Sequence, residues 1–89
     1  MKVDVSAVRN SEELHDLLAK TFGFPAYYGK NWDAFNECIA EDARVSSVVE
    51  VSGIDQLRSR LPRDADLLRR SLTNFAEESR DPKVTVDFI

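Results

Sequence analysis

A chain of 89 residues, 43 % hydrophobic and 31 % charged, has material for one core, which sets aside multidomain and disordered architectures. Sixteen Asp and Glu against twelve Lys and Arg give a net charge of −4, so the basic footprint of a nucleic-acid binder is missing. A single cysteine, Cys38, rules out an internal disulfide framework and a cysteine-based zinc site, and no apolar run approaches the roughly 18 residues of a membrane span.

Residues 2–8, Lys-Val-Asp-Val-Ser-Ala-Val, alternate with period two and place Val3, Val5 and Ala7 on one face of a first strand. This alternation is not the apolar core of a signal peptide, so a reducing, cytoplasmic setting is expected. Asn10 can cap a helix, and Glu13 stands where it completes a capping box. Leu14, Leu17, Leu18 and Phe22 recur at helical spacing up to a stop at Gly23. Phe24 to Lys30 holds Pro25, two tyrosines and Gly29 and reads as a loop. A second helix is predicted from about Asn31 to Asp42, with Asn31 as its cap and Trp32, Phe35 and Ile39 as its apolar stripe.

Val45, Val48, Val49 and Val51 form a β-branched run that suits a strand buried on both faces. Ser52 or Gly53 opens a short helix containing Ile54, Leu57 and Leu61, ended by Pro62. Asp64 can cap a fourth helix that carries Leu68, Leu72, Phe75 and Ser79. Residues 83–89 alternate again, with Val84, Val86 and Phe88 on one face. The order is β-α-α-β-α-α-β. Each strand-to-strand connection is long enough for a crossover, so the strands are parallel. The expected fold is a small α/β single domain over residues 1–89, a three-stranded parallel sheet with four helices.

Catalytic patterns are absent. His15, the sole histidine, lies between Leu14 and Asp16 in the first helix and reads as an ordinary surface residue with no nucleophile motif to partner it. Cys38 reads as a buried structural thiol. No G-x-x-x-x-G-K, G-x-G-x-x-G or G-x-S-x-G pattern occurs, and three glycines leave no phosphate-cradling loop. No catalytic residue, cofactor or metal is therefore expected.

The second helix is the unusual segment. From Asn31 to Ala43 it carries Asp33, Glu37, Glu41 and Asp42 and no Lys or Arg. Asp33, Glu37 and Glu41 follow i, i+4, i+8 and line one face, where each like-charged pair costs about 0.2–0.5 kcal/mol. Three readings are open: a solvated face, a surface for a basic partner, or a divalent-cation site. The last lacks a loop carbonyl or second ligand group at suitable spacing. Tyr27 and Tyr28 stand just before this helix, and tyrosine brings contact area with a polar tip, which favours the partner surface. As loop neighbours the two should point differently, one outward and one into the core. A second cluster, Arg58, Arg60, Arg63, Arg69 and Arg70, has no interleaved aromatics and reads as a solvated face.

The segment Phe24-Pro25-Ala26-Tyr27-Tyr28-Gly29-Lys30-Asn31-Trp32-Asp33-Ala34 resembles the barstar family, the intracellular inhibitors of barnase-type microbial ribonucleases. Its P-x-Y-Y-G-x-N-x-D-A pattern is specific to that family. The similarity runs from Val3 to Ile89, and size, acidity and element order agree. The resemblance implies a bacterial protein, monomeric when free, that plugs a ribonuclease active site one-to-one with its second helix and the preceding loop.

Residue by residue, Tyr27, Tyr28, Gly29, Asn31 and Asp33 match family contact positions. Glu37 falls where barstar has an aspartate that enters the nuclease's phosphate-binding site. Glu77 falls where barstar has a peripheral glutamate on the fourth helix. Asn36 and Glu41, on the second helix, complete the expected partner-binding set. The chain departs from the family at Asn36, where barstar has a tryptophan, and at Glu37, longer than that aspartate by one methylene. Asp42 lies near the place of a second family tryptophan. The implied partner is an extracellular-type ribonuclease, barnase-like or otherwise guanyl-specific, with no nucleic acid and no membrane. An immunity protein against another nuclease toxin, or a non-inhibitory adaptor for a basic protein, is the alternative.

Overall fold

Three short β-branched segments meet in one parallel sheet of order β1-β2-β3. They are β1 (Lys2–Asp4), β2 (Val48–Ser52) and β3 (Thr85–Phe88). Val3 registers with Val51, and Val49 with Val86, so the valines share one face. The computed structural model describes residues 1–41, 45, 47–80 and 83–89. Among these, four helices join the strands: α1 (Ser11–Phe22), α2 (Trp32–Glu41), α3 (Ile54–Arg60) and α4 (Pro62–Glu78). The observed order is β-α-α-β-α-α-β, as read from the sequence. Asp42, the expected end of the second helix, lies outside the described residues.

The core is built where helical stripes meet the valine face. Leu14, Leu18 and Phe22 of α1, Phe35 and Ile39 of α2, Leu57 of α3, and Leu68 and Leu72 of α4 are buried with Val3, Val5, Val49 and Val51. The other face of the sheet is more open. Lys2, Asp4, Thr85 and Asp87 are exposed, and Val48 is 42 % exposed. This corrects the expectation that β2 is buried on both faces: its β-branched run serves strand geometry, while only Val49 and Val51 enter the core.

Local chemistry sets the boundaries. β1 stops at Asp4, short of the predicted residue 8. Asp4 Oδ1 accepts a hydrogen bond from the Ser6 N–H at 2.9 Å, and the Val8 N–H donates to the Val5 carbonyl at 3.3 Å. The chain turns there, and Ala7 is exposed. Asn10 caps α1, its Oδ1 accepting from the Glu13 N–H at 2.9 Å. The returning bond of the box is displaced by one residue, because Glu13 accepts from the Arg9 N–H at 3.0 Å and pairs with its guanidinium at 2.6 Å.

Gly53 opens α3 at φ 83°, and an added Cβ would lie 2.5–2.7 Å from Ser6 atoms. Only glycine lets these two turns pass so closely. Pro62 does more than end α3. It begins α4, where its missing N–H needs no partner. Asp64 therefore sits in the first turn of α4 and is not its cap.

Candidate functional site

The loop over residues 24–31 and α2 form one unit, pinned from behind. Tyr28 turns inward and is 8 % exposed, while Tyr27 points out at 80 %. The Tyr28 ring packs 4.9 Å from Phe24, which stands 5.7 Å from Phe35. Its hydroxyl lies 2.6 Å from His15 Nδ1. Burial pushes the Tyr28 hydroxyl well above its ordinary range, so it remains protonated and able to donate. Burial likewise lowers the His15 pKa, against a smaller opposing pull from Asp64 and Asp16. A neutral imidazole accepting from the phenol satisfies both groups.

His15 is thus 1 % exposed, which corrects its reading as a surface residue. Its ring also lies 4.7 Å from Trp32, whose indole N–H donates to Asp64 Oδ1 at 2.9 Å. Through these contacts α1, the loop, α2 and α4 hold one another. Sequence reasoning missed His15, Trp32 and Asp64 as supports of the site. A signal was present for His15, which shares helical spacing with Leu18 and Phe22. The Trp32–Asp64 contact spans 32 positions and leaves no local mark.

Asn31 closes the unit at the front. Its Oδ1 accepts from the Ala34 N–H at 2.8 Å and caps α2, while its Nδ2 donates to the Gly29 carbonyl at 3.2 Å. A Cβ at Gly29 would sit 3.3 Å from that same nitrogen and crowd the cap. Between them Lys30 takes the left-handed conformation at φ 52°. Its ammonium pairs with Asp16 at 2.9 Å and Glu12 at 3.5 Å, both on α1. Lys30 is the only cation in the sequence from Phe24 to Glu41, and these contacts draw it away from the α2 carboxylates.

Those carboxylates stay open. Asp33, Glu37 and Glu41 are exposed and make no ion pair among the described residues. Asp33 lies in the first turn of α2, where the helix dipole favours a negative charge. Glu37 and Glu41 line a groove of about 440 Å³ with Tyr27, Tyr28, Gly29 and Ala34. The structure thus brings together five of the predicted residues, with Asn31 as the cap beside them. It separates two others. Asn36 lines a different groove, between α2 and α4. Glu77 is exposed on α4 and lines a third, against β3.

No described cluster of three His, Cys, Asp or Glu is arranged to hold a metal ion, and among the described residues no helix is long and apolar enough to cross a membrane. Cys38 is buried beneath the site, as expected. What remains is a fixed, concave, negatively charged surface with an aromatic rim. The family model for barstar, described as the barnase inhibitor, matches residues 1–89. The chain belongs to the barstar family. A search of curated proteins gave no significant match.

Barstar is a family of inhibitors rather than enzymes, and a barnase-type inhibitory or immunity-like role follows for this chain. The barstar-like motif Pro25-Ala26-Tyr27-Tyr28-Gly29-Lys30-Asn31 coincides with the loop just described. Three of its residues have a visible part in holding that loop, since Tyr28 anchors it, Gly29 leaves space for the cap, and Asn31 supplies the cap.

Proposed function

We propose that this chain inhibits a microbial guanyl-specific ribonuclease by inserting α2 and the Tyr27-Tyr28-Gly29 loop into its active site. The observation that carries the reading is the uncompensated carboxylate face: Asp33, Glu37 and Glu41 form no ion pair among the described residues, and Lys30 is held elsewhere. A ribonuclease binds RNA phosphates with arginine, lysine and histidine. Carboxylates take phosphate positions and pair bidentately with guanidinium groups. The repulsion along α2 is relieved when those cations arrive.

Inhibition needs no chemistry on this side; occupying the cleft is enough. Tyr27 supplies exposed contact area at the rim. The Tyr28–His15 bond and the Asn31 cap fix the loop beforehand, so little order is lost on binding. The negative face draws a basic nuclease from a distance and speeds encounter. The single buried thiol suits a reducing compartment, the interior of a cell that exports the nuclease.

Asn36, small and polar where the family has a tryptophan, favours a target other than barnase itself, such as a related nuclease toxin. The test is a titration of the protein into several guanyl-specific ribonucleases while RNA cleavage is followed. Activity should disappear at one equivalent for at least one enzyme. Unchanged cleavage across the set would overturn the inhibitor reading and leave an adaptor for a basic protein.

A further inference from the structure

The sheet ends on an unfinished edge. The Thr85 N–H donates to the Ser47 carbonyl at 2.9 Å, and the Ile89 N–H donates to the Val51 carbonyl at 2.8 Å. These bonds turn the backbone groups of Thr85, Asp87 and Ile89 toward β2, so those of Val86 and Phe88 point away from the sheet. No hydrogen bond meets them among the described residues. At Val84, the preceding outward position, the fold closes the same edge itself: the Val84 N–H donates to Ser79 Oγ at 2.9 Å. The far edge is shielded as well. β1 is only three residues long, and Arg60 donates to the Ser6 carbonyl at 2.6 Å just beyond it.

Beside the open edge a groove of about 360 Å³ runs between β3 and α4. Thr73, Ala76 and Glu77 line it from α4, and residues 83–87 line it from the strand. Lys83 is occupied, its ammonium donating to the Ala76 carbonyl at 2.7 Å. Asp87 is exposed, registers with Glu50 on the open face of the sheet, and makes no ion pair among the described residues.

We propose that the outer edge of β3 docks an extended segment of a partner protein, as a fourth strand antiparallel to β3, with a lysine or arginine between two small apolar residues. Val86 and Phe88 offer that strand two N–H donors and two carbonyl acceptors. The residue opposite Asp87 then stands about 4.5 Å away between Cα atoms, on the same face, where a cation is favoured and a carboxylate opposed. Its two neighbours point to the α4 side, where Ala76, Val84 and Val86 leave room for small apolar side chains. A second copy of this chain is a poor occupant. The antiparallel register that uses both open residues sets Val86 against Phe88 of the other copy and Asp87 against Asp87, a like-charge pair. Asp87 thus turns away the chain's own edge and selects a basic strand. The site uses no residue of the α2 face and stands apart from the inhibitor reading.

The test is a titration of the folded ¹⁵N-labelled protein with acetyl-Thr-Val-Lys-Val-Thr-amide and, in parallel, with the analogue carrying aspartate in place of lysine. The lysine peptide should shift the amide signals of Val86 and Phe88 and slow their hydrogen exchange, which is fast in the free protein. The aspartate analogue should bind at least about threefold more weakly, the scale of one exposed charge pair. Asp87→Lys should reverse that preference while the rest of the spectrum stays native. The lysine peptide N-methylated at both residues flanking the lysine should not bind, because the donors that face β3 are gone.

Absence of β3 shifts with either peptide would overturn the proposal. So would shifts confined to Asp33, Glu37 and Glu41, a preference that Asp87→Lys leaves unchanged, or equal binding of the N-methylated peptide. Dimerisation of the parent protein through β3 in sedimentation would overturn the role of Asp87 in turning away a second copy. None of these results bears on ribonuclease inhibition, which saturation with the lysine peptide should leave unchanged.

Discussion

The arginines of α3 and α4 and the carboxylates of α2 are both runs of like charge, yet the fold treats them differently. Arg58 reaches Asp55 at 3.4 Å and Asp66 at 3.7 Å. Arg60 donates to the Ser6 carbonyl at 2.6 Å, and Arg69 lies 5.0 Å from the centre of the Phe88 ring. These three cations are engaged within their own chain, while Arg63 and Arg70 are exposed and form no ion pair among the described residues. Asp33, Glu37 and Glu41 have no such partners among the described residues, and Lys30, the cation of the preceding loop, is committed to α1. A run of like charge therefore says little until its counter-charges are located. Where they are in the same chain, the run is structural; where they are absent, it is available to a partner.

The contrast can be broken most strongly from behind. Tyr28→Ala removes the ring that backs the acidic face and should cost about 3 kcal/mol of stability in chemical denaturation. Tyr27→Ala should stay within about 0.5 kcal/mol of the parent and still weaken nuclease binding. Equal binding losses with no change in stability would contradict the division of labour between the two tyrosines.

Salt gives the next largest effect. The association rate with an inhibited ribonuclease should fall about tenfold between about 0.01 M and 0.15 M salt. A flat rate would remove steering from the role of the α2 face.

His15 gives a smaller, pH-dependent effect. Its pKa is near 6.5 when unperturbed and is lowered in the fold by burial. Between those two values the unfolded chain binds more protons, so stability falls as pH drops below about 6.5 and is fully present above it. Thermal midpoints between about pH 7.5 and pH 5 should show this decline, and His15→Gln should flatten it. A midpoint that rises on acidification through this window would refute the neutral His15–Tyr28 pair.

The smallest change is expected at the arginines of α3. Arg58→Ala should alter stability by less than about 0.5 kcal/mol and leave the association rate unchanged.

Much of the fold and the site is legible in the sequence, for identifiable reasons. The element order and parallel sheet follow from two alternating segments and one β-branched run, separated by connections long enough to cross over. The Asn10 and Asn31 caps are legible because capping is local. The acidic face is legible because i, i+4 spacing places side chains together whatever the tertiary fold. What the sequence does not disclose depends on distant neighbours. Val48 faces outward because only one face of β2 is packed, and composition is blind to that. Pro62 could end one helix or begin the next, and it begins α4. His15 reads as a surface residue because its partner lies 13 residues away, in the loop. The groove at Asn36 exists only once α2 and α4 are set side by side.

One measurement bears most directly on the acidic face as the binding surface: the affinity of Glu37→Gln for a ribonuclease that the parent protein inhibits, with Arg58→Gln measured beside it. Glu37 lies at the centre of the carboxylate stripe, and glutamine keeps its shape while removing its charge. The predicted loss is at least about tenfold, or 1.4 kcal/mol, with unchanged stability and no loss for Arg58→Gln. A smaller loss at Glu37, or an equal loss at Arg58, would contradict the acidic face as the binding surface.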